Sequence, residues 1–361
     1  MIPVVAGLPH VARAAPDADA RPAVLHAPLR NPLRLETPVK LTVCLTETCN
    51  LDCRPCYADC HKSAQRAELD APTWRRILDA AIADGVIALY IEGGEPLLHP
   101  GFFDVVRHVS DRAYVILRTH ATTIDQQTAR ALQATGIGLV FVDLWSADHA
   151  VHDALTGVAG SHARTLSGIE ALRSAGIDVQ TLVILNQLNL AGLDAQLRLS
   201  HELGASATGI LRLYPLGRAR REWSRLSLSL AEQMEVLARL RVPPGLRIMQ
   251  SWHPNDHNCC WQMAAVNAFG DSIGCAYLRE YVNYGSLLET GLLETWNHPL
   301  CRELRAGAVD KACSSCSASQ GSHGGCRSTA YAFHGRFDAP DPFDVTLNDD
   351  VDLRVLPTGP A

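Results

Sequence analysis

"CNLDCRPCYADC", residues 49–60, puts four cysteines within twelve positions, just beyond the apolar run "KLTVCL" (40–45), and no further cysteine occurs until Cys259. Thiols this dense belong to a disulfide framework or to a metal or catalytic site. A chain of 361 residues with 47% hydrophobic content fills a large core without covalent staples. Residues 1–36 lack the apolar h-region of a secretion signal and include Asp17 and Asp19, so they are expected to be an N-terminal extension. Metal or catalytic use is therefore the expected meaning of the twelve cysteines.

The net charge of −6 and a single basic cluster, "RARRE" at 218–222, argue against nucleic acid or a membrane surface as partner. No apolar run approaches the roughly 18 to 20 residues that span a bilayer. The expected location is the cytoplasm.

Working outward from the cysteine stretch, short apolar runs alternate with one-sided helical patterns. The runs are "KLTVCL", "ALYIEG" (88–93), "YVILRT" (114–119), "GLVFVD" (138–143), "VQTLVIL" (179–185) and "ILRLYP" (210–215). Helical periodicity falls at 71–85, 123–136, 164–176 and 190–204. Repeated strand-helix units imply an α/β fold with parallel strands, either a partial barrel or an open sheet. A helix is predicted at 229–241, and from 253 the chain turns Cys-, Gly- and His-rich, as in a small domain held by metal. The expected divisions are 37–220 for the strand-helix domain, 221–252 for a linking helical region and 253–361 for the Cys-rich domain and tail.

Cys49, Cys53 and Cys56 read C-x3-C-x2-C on the loop after the first strand. Three thiolates from one loop serve three irons of a cubane cluster and leave the fourth open to a substrate or cofactor. A zinc site is the alternative reading. "GGEP" (Gly93, Gly94, Glu95, Pro96) closes the second run, and two glycines allow close approach of backbone to a ligand. Both motifs sit at strand C-terminal ends, where barrel enzymes build their sites.

These two motifs resemble those of the radical S-adenosylmethionine (SAM) family. The resemblance implies a partial (β/α)6 barrel, a [4Fe-4S] cluster on Cys49, Cys53 and Cys56, and SAM held through its amino group by the "GGEP" turn. "RTHATTI" (118–124) stands where relatives have a "TNG" turn, and "VFVDLWSADHAVHDALTG" (140–157) matches a family segment at His152, Asp153 and Gly157. Asp143 and Trp145 depart from the family's serine and aspartate, and Pro55 from its aromatic residue. In "RLYPLGRA" (212–219), Arg212 or Arg218 is assigned either to the SAM carboxylate or to a structural salt bridge. Tyr57 is assigned either to the adenine or to the core.

The later cysteines resemble the SPASM and twitch domains that carry auxiliary iron-sulfur clusters, and "GRFDAPDPFD" (335–344) resembles the C-terminal stretch of the pyrroloquinoline quinone and mycofactocin maturases. Ser322 and Asp344 stand where two ligands of a second auxiliary cluster are expected, so one auxiliary [4Fe-4S] cluster is implied. Its ligands are Cys260, Cys275, Cys313 and Cys316 in a twitch arrangement, or Cys259, Cys260, Cys275 and Cys326 in a SPASM-like one. A degraded second cluster using Cys313, Cys316 and Asp344, or zinc at that cysteine pair, is the alternative. His257, near Cys259, is a further ligand candidate. Cys44, Cys60 and Cys301 are expected to be buried or spare thiols.

The resemblance implies reductive cleavage of SAM to a 5′-deoxyadenosyl radical that abstracts a substrate hydrogen, with flavodoxin or ferredoxin as electron donor. Only 48 residues precede Cys49, too few for a fused peptide-recognition domain. The expected substrate is accordingly a small polar molecule, a sugar, nucleoside or amino acid derivative, that is oxidised, decarboxylated or epimerised. A ribosomal peptide brought by a separate recognition protein is the alternative, and a non-catalytic zinc or iron-sulfur protein is the alternative of another class.

Overall fold

Strand follows helix along the chain because buried aliphatic runs alternate with segments that are apolar on one side only. The computed structural model describes residues 10–12, 35–250, 262–306, 325–344, 348 and 350–357. Its strands are β1 (His10–Ala12), β2 (Lys40–Cys44), β3 (Ala88–Glu92), β4 (Tyr114–Thr119), β5 (Leu139–Asp143), β6 (Val179–Ile184), β7 (Ala207–Leu211), β8 (Arg247–Gln250) and β9 (Met263–Val266). They form one sheet in the order β1-β8-β7-β6-β5-β4-β3-β2-β9. Every pairing is parallel except that of β1 with β8. The six expected strands are thus the middle of a wider sheet.

Helix α1 (Ala71–Ala83) shows the local logic of the outer layer. Asp70 caps it by accepting from the Thr73 N–H, and Trp74, Ile77, Leu78 and Ala81 bury one face at helical spacing. That face meets α2 (Phe102–Val109) and the outward residues of the strands, such as Leu89 and Ile91. The inward residues do something different. Ile116, Leu139, Phe141, Leu182, Ala207 and Met249 pack against one another and fill the interior. Two residues further along their strands stand Glu92, Arg118, Asp143 and Ile184, which face a cavity at the C-terminal ends.

One strand differs in register from its sequence pattern. The run "ILRLYP" was expected to be extended, yet β7 ends at Leu211 and begins at Ala207. Pro215 cannot donate to a ladder, whereas the small residues Ala207 and Gly209 carry little strand propensity but fit a crowded interior.

Residues 262–306 are joined to the strand-helix core as well as to metal-ligand candidates. β9 pairs with β2, and Ala264, Val266, Leu278, Leu292, Trp296 and Leu304 belong to the same apolar cluster as Leu89 and Trp74. Trp296 is fully enclosed, donates through Nε1 to the Leu35 carbonyl and carries the Arg305 guanidinium over its face. A shared core makes the two parts one cooperative unit. Trp296→Ala is expected to cost about 3–5 kcal/mol and to shift a single urea transition monitored by circular dichroism; a separate early transition for the C-terminal segment would contradict this.

Candidate active site

The cysteine loop is held from three sides, and most of the holding is done by backbone. From the β3 end, the N–H groups of Gly94 and Glu95 donate to the carbonyls of Thr46 and Thr48, at 2.7 and 2.8 Å. From the end of helix α4, which we number after α3 (Gln126–Gln133) and which spans His149–Thr156, the carbonyls of Thr156 and Leu155 accept from the N–H groups of Asp52 and Arg54. From the turn after β7, the N–H groups of Arg218 and Ala219 donate to the Cys56 carbonyl.

The glycines explain why the approach can be this close. A Cβ at Gly94 would lie 2.2 Å from the Thr48 oxygen and 3.1 Å from the Cys49 Cβ; one at Gly93 (φ +151°) would lie 2.3 Å from the Thr46 oxygen. The "GG" pair therefore admits the cysteine loop itself. Gly217, at φ +51°, does the same against the carbonyls of Tyr57 and Cys56.

Cys49, Cys53 and Cys56 line one cavity together with Gly93, Gly94, Tyr57 and Trp145. Among the described residues no three His, Cys, Asp or Glu side chains converge as around a single metal ion. Three thiols from one loop suit three corners of a cluster. Burial pushes the Cys49 thiol up to about 12 and Cys53 well above its ordinary value. Cys56 is lowered to about 6, chiefly by the neighbouring Cys60.

The same cavity is lined by a row of charged strand ends. Arg118 donates to both Asp143 oxygens, through Nε at 3.1 Å and Nη2 at 2.9 Å, and its Nη1 lies 3.8 Å from Glu92. Burial opposes the Arg118 charge, but Asp143 together with Tyr90, Tyr57 and Tyr277 outweighs it and holds the guanidinium well above its ordinary value. Tyr57 donates its hydroxyl to Glu92 at 2.7 Å, and its ring sits 4.8 Å from that of Tyr277, so it is fixed by the core while still forming cavity wall. Arg279 reaches in from the C-terminal region to donate to the Cys44 sulfur at 3.0 Å. Cys44, a spare thiol on the sequence reading, belongs to this network, and burial raises it to about 12.

Other expected site residues stand elsewhere. The Glu95 carboxylate is fully enclosed; it accepts from the Thr119 hydroxyl and the His120 N–H and lies 3.1 Å from His120 Nε2, which turns it away from the cavity. Pro96 begins a short 3-10 turn behind it. Arg212 pairs with Asp341 at 2.7 Å, both buried. Arg218 donates to the carbonyls of Cys53 and Cys60 and pairs with Asp52. Both arginines thus make salt bridges, and neither is among the residues lining this cavity. Asp153 caps the helix Ser161–Ser174, accepting from Gly160, Ser161 and His162.

In the C-terminal region, Cys275 is buried and its sulfur accepts from the Tyr277 N–H. Cys326 donates its N–H to Asp341, the residue that Arg212 also grips. The turn after Cys275 and the helix Arg327–His334 after Cys326 meet through Tyr281 and Tyr331, 4.7 Å apart. Cys259, Cys260, Cys313, Cys316 and His257 lie outside the described residues. Asp344 is buried close to Asp341. The sequence reading missed Glu92, Arg118 and Asp341. A charged residue ending each of two otherwise apolar strands was the available signal for the first two.

A parallel barrel with three cysteines of one loop at its C-terminal mouth defines a class of enzyme that holds an open-sited iron-sulfur cluster. Residues 43–197 match the radical SAM superfamily, and residues 259–317 match the iron-sulfur cluster-binding SPASM domain. The chain is 33% identical over 175 residues to an AdoMet-dependent heme synthase of Methanosarcina barkeri, covering 48% of this chain and about half, 50%, of that protein. It is 29% identical to mycofactocin maturase MftC of Mycobacterium ulcerans, over 85% of this chain and 88% of the relative. It is 27% identical to the PqqA peptide cyclase of Gluconobacter oxydans, over 84% and 90%. In fold it is similar to the crystal structure of Streptococcus suis SuiB bound to S-adenosylmethionine, with a TM-score of 0.69 at 16% identity, covering 87% of this chain and 78% of that one. The chain belongs to the radical SAM enzymes that carry a SPASM domain, with a [4Fe-4S] cluster and SAM as cofactors.

Two outcomes follow from the loop geometry. Gly94→Ala forces its methyl into the Thr48 carbonyl and is expected to cut iron and sulfide retained after anaerobic reconstitution several-fold, with far-UV circular dichroism unchanged. In metal-free protein, alkylation followed by mass spectrometry should label Cys56 first, with a rate rising through pH about 6 as its thiolate forms, while Cys49, raised to about 12, stays unmodified at pH 7. Equal labelling of both would refute the asymmetry.

Proposed function

We propose that this enzyme modifies a peptide, removing one hydrogen atom from a residue of a ribosomally made precursor. The observation that carries this reading is the match, over 88% and 90% of their own lengths, to a maturase and a peptide cyclase. The expectation of a small polar substrate rested on the residues ahead of Cys49. That count does not separate the substrate classes, since relatives aligned over nearly their whole length include one named for acting on a peptide.

When bound, the reduced cluster supplies the electron that splits SAM into methionine and a 5′-deoxyadenosyl radical. Cys49, Cys53 and Cys56 hold the cluster by three sulfurs. The SAM amino group falls to the carbonyls of the Gly93-Gly94 turn, because the Glu95 carboxylate is already committed to Thr119 and His120. Glu92, Arg118 and Asp143 orient the substrate, as fixed charges in the cavity wall. Leu51, Pro55, Trp145 and Ile184 form apolar wall that keeps water from the radical. Cys275, together with Cys260, Cys313 and Cys316 or with Cys259, Cys260 and Cys326, would hold one auxiliary cluster, which would supply an electron acceptor.

The test is anaerobic incubation with SAM and dithionite, followed by coexpression with short reading frames adjacent to its gene and mass spectrometry of the peptides. 5′-Deoxyadenosine is expected, with a peptide mass change of two hydrogens or of carbon dioxide. 5′-Deoxyadenosine without change in any such peptide would refute the peptide reading and leave the enzyme class intact.

A further inference from the structure

The cysteine loop is also held from the turn after β4, and there side chains do the holding. His120 is buried in the cavity wall, and its Nδ1 lies 3.2 Å from the Thr122 backbone nitrogen and 3.0 Å from the Thr122 hydroxyl. A backbone N–H can only donate, so Nδ1 is the acceptor and the proton of the neutral ring sits on Nε2. The Thr122 oxygen accepts from Asn50 Nδ2 at 3.1 Å, which leaves its own proton for the ring. Asn50 is the residue after Cys49. Thr48, the residue before it, gives its carbonyl to the Glu95 N–H at 2.8 Å, and the Glu95 carboxylate accepts the His120 N–H at 3.2 Å. Both chain neighbours of Cys49 are thus tied to one Glu95–His120 unit.

The turn is built to keep that ring in place. Ala121, fully buried, takes φ +59°, a left-handed conformation uncommon for a residue with a Cβ. The Thr119 hydroxyl oxygen accepts from the Ala121 N–H at 2.9 Å, and the Thr165 hydroxyl donates to the His120 carbonyl at 2.8 Å. Gly168 presses from the helix Ser161–Ser174, where a Cβ would fall 2.2 Å from the Ala121 carbonyl oxygen. Such a conformation persists only where its surroundings over-determine it, and it is a mark of functional turns. We propose that His120 is a positioning residue for Cys49, acting through Thr122 and Asn50. The acceptor nitrogen Nδ1 carries the role, because it orients the Thr122 hydroxyl whose oxygen receives Asn50. Nε2, buried 3.1 Å from Glu95 Oε2, makes no hydrogen bond of good angle there.

Three variants of the full chain separate the two ring nitrogens. His120→Asn puts an amide oxygen where Nδ1 stands and keeps the acceptor; His120→Gln puts an amide nitrogen near Nε2 and loses it; Thr122→Val keeps the shape and removes the hydroxyl. Each is compared with the unaltered chain, metal-free, by far-UV circular dichroism and by the rate at which Cys49 is alkylated, read by mass spectrometry. In His120→Gln and Thr122→Val, Cys49 should react roughly fivefold faster, as befits the loss of about one hydrogen bond from the closed loop. His120→Asn should stay near the unaltered rate, and iron and sulfide retained after anaerobic reconstitution should fall in the same order. Equal Cys49 rates in the Asn and Gln variants would overturn the proposal; if His120→Gln does not fold, an unchanged rate in Thr122→Val does so alone. The inference rests on Cys49 being a cluster ligand. An unaltered chain that retains no iron would defeat that reading, whereas the labelling, done without metal, decides the role of His120 separately.

Discussion

Three carbonyl and amide seams close on the cysteine loop, and the architecture of the barrel mouth serves that closure. A loop of this length, held only at its ends, would sample many conformations, each residue costing about 1–2 kcal/mol to fix. Against this, each backbone hydrogen bond contributes about 1 kcal/mol net. The loop receives such bonds from β3, from the end of α4 and from the turn after β7, three elements far apart in sequence. Its ordering is thus a property of the folded barrel and not of the loop. Arg218 adds charge-assisted bonds to the carbonyls of Cys53 and Cys60, tying both shoulders of the loop to one side chain.

The interior charges pose the opposite problem. Glu92, Arg118 and Asp143 are withdrawn from water where burial disfavours each of them singly, and truncating one partner of such a set typically costs 3–5 kcal/mol. A hydrophobic replacement would serve stability as well or better. Their retention at the strand ends, where the cavity begins, is therefore better explained by what the cavity must bind than by what the core needs. The Arg212–Asp341 pair reads otherwise. It lies off the cavity, and Asp341 also accepts from the Cys326 N–H and the Thr329 hydroxyl. That pair locks the end of β7 to the segment carrying a candidate ligand cysteine.

Much of this was legible in the sequence, and the parts that were not have physical reasons. The six strand-helix units could be read because parallel strands buried on both faces leave continuous aliphatic runs. β8 and β9 escaped because strands of four residues leave too short a pattern, and β7 slipped because Pro215 extended an apolar run beyond the ladder. The three cysteines were legible from spacing alone. Glu95, Arg212 and Arg218 were expected at the site, but their ion-pair partners lie more than twenty residues away along the chain, and no local pattern encodes them. Asp341, 129 residues from Arg212, is the extreme case.

A motif records constraint without saying what imposes it. The "GG" pair and the arginine after Gly217 stand where motif reasoning assigns contacts to a cofactor, yet their closest neighbours here are the backbone of residues 46–60. Such residues are as intolerant of substitution as a ligand contact, since a methyl 2.2 Å from a carbonyl oxygen is no more acceptable than a lost hydrogen bond. The two kinds of constraint converge because a cluster held by one loop demands that the loop be immobile before the cluster arrives. Of the side chains that line the cavity, the three cysteines follow the family pattern, whereas Glu92, Arg118, Asp143 and Trp145 depart from or fall outside it. That is the expected division: the frame follows the chemistry shared with relatives, and the open wall follows the substrate.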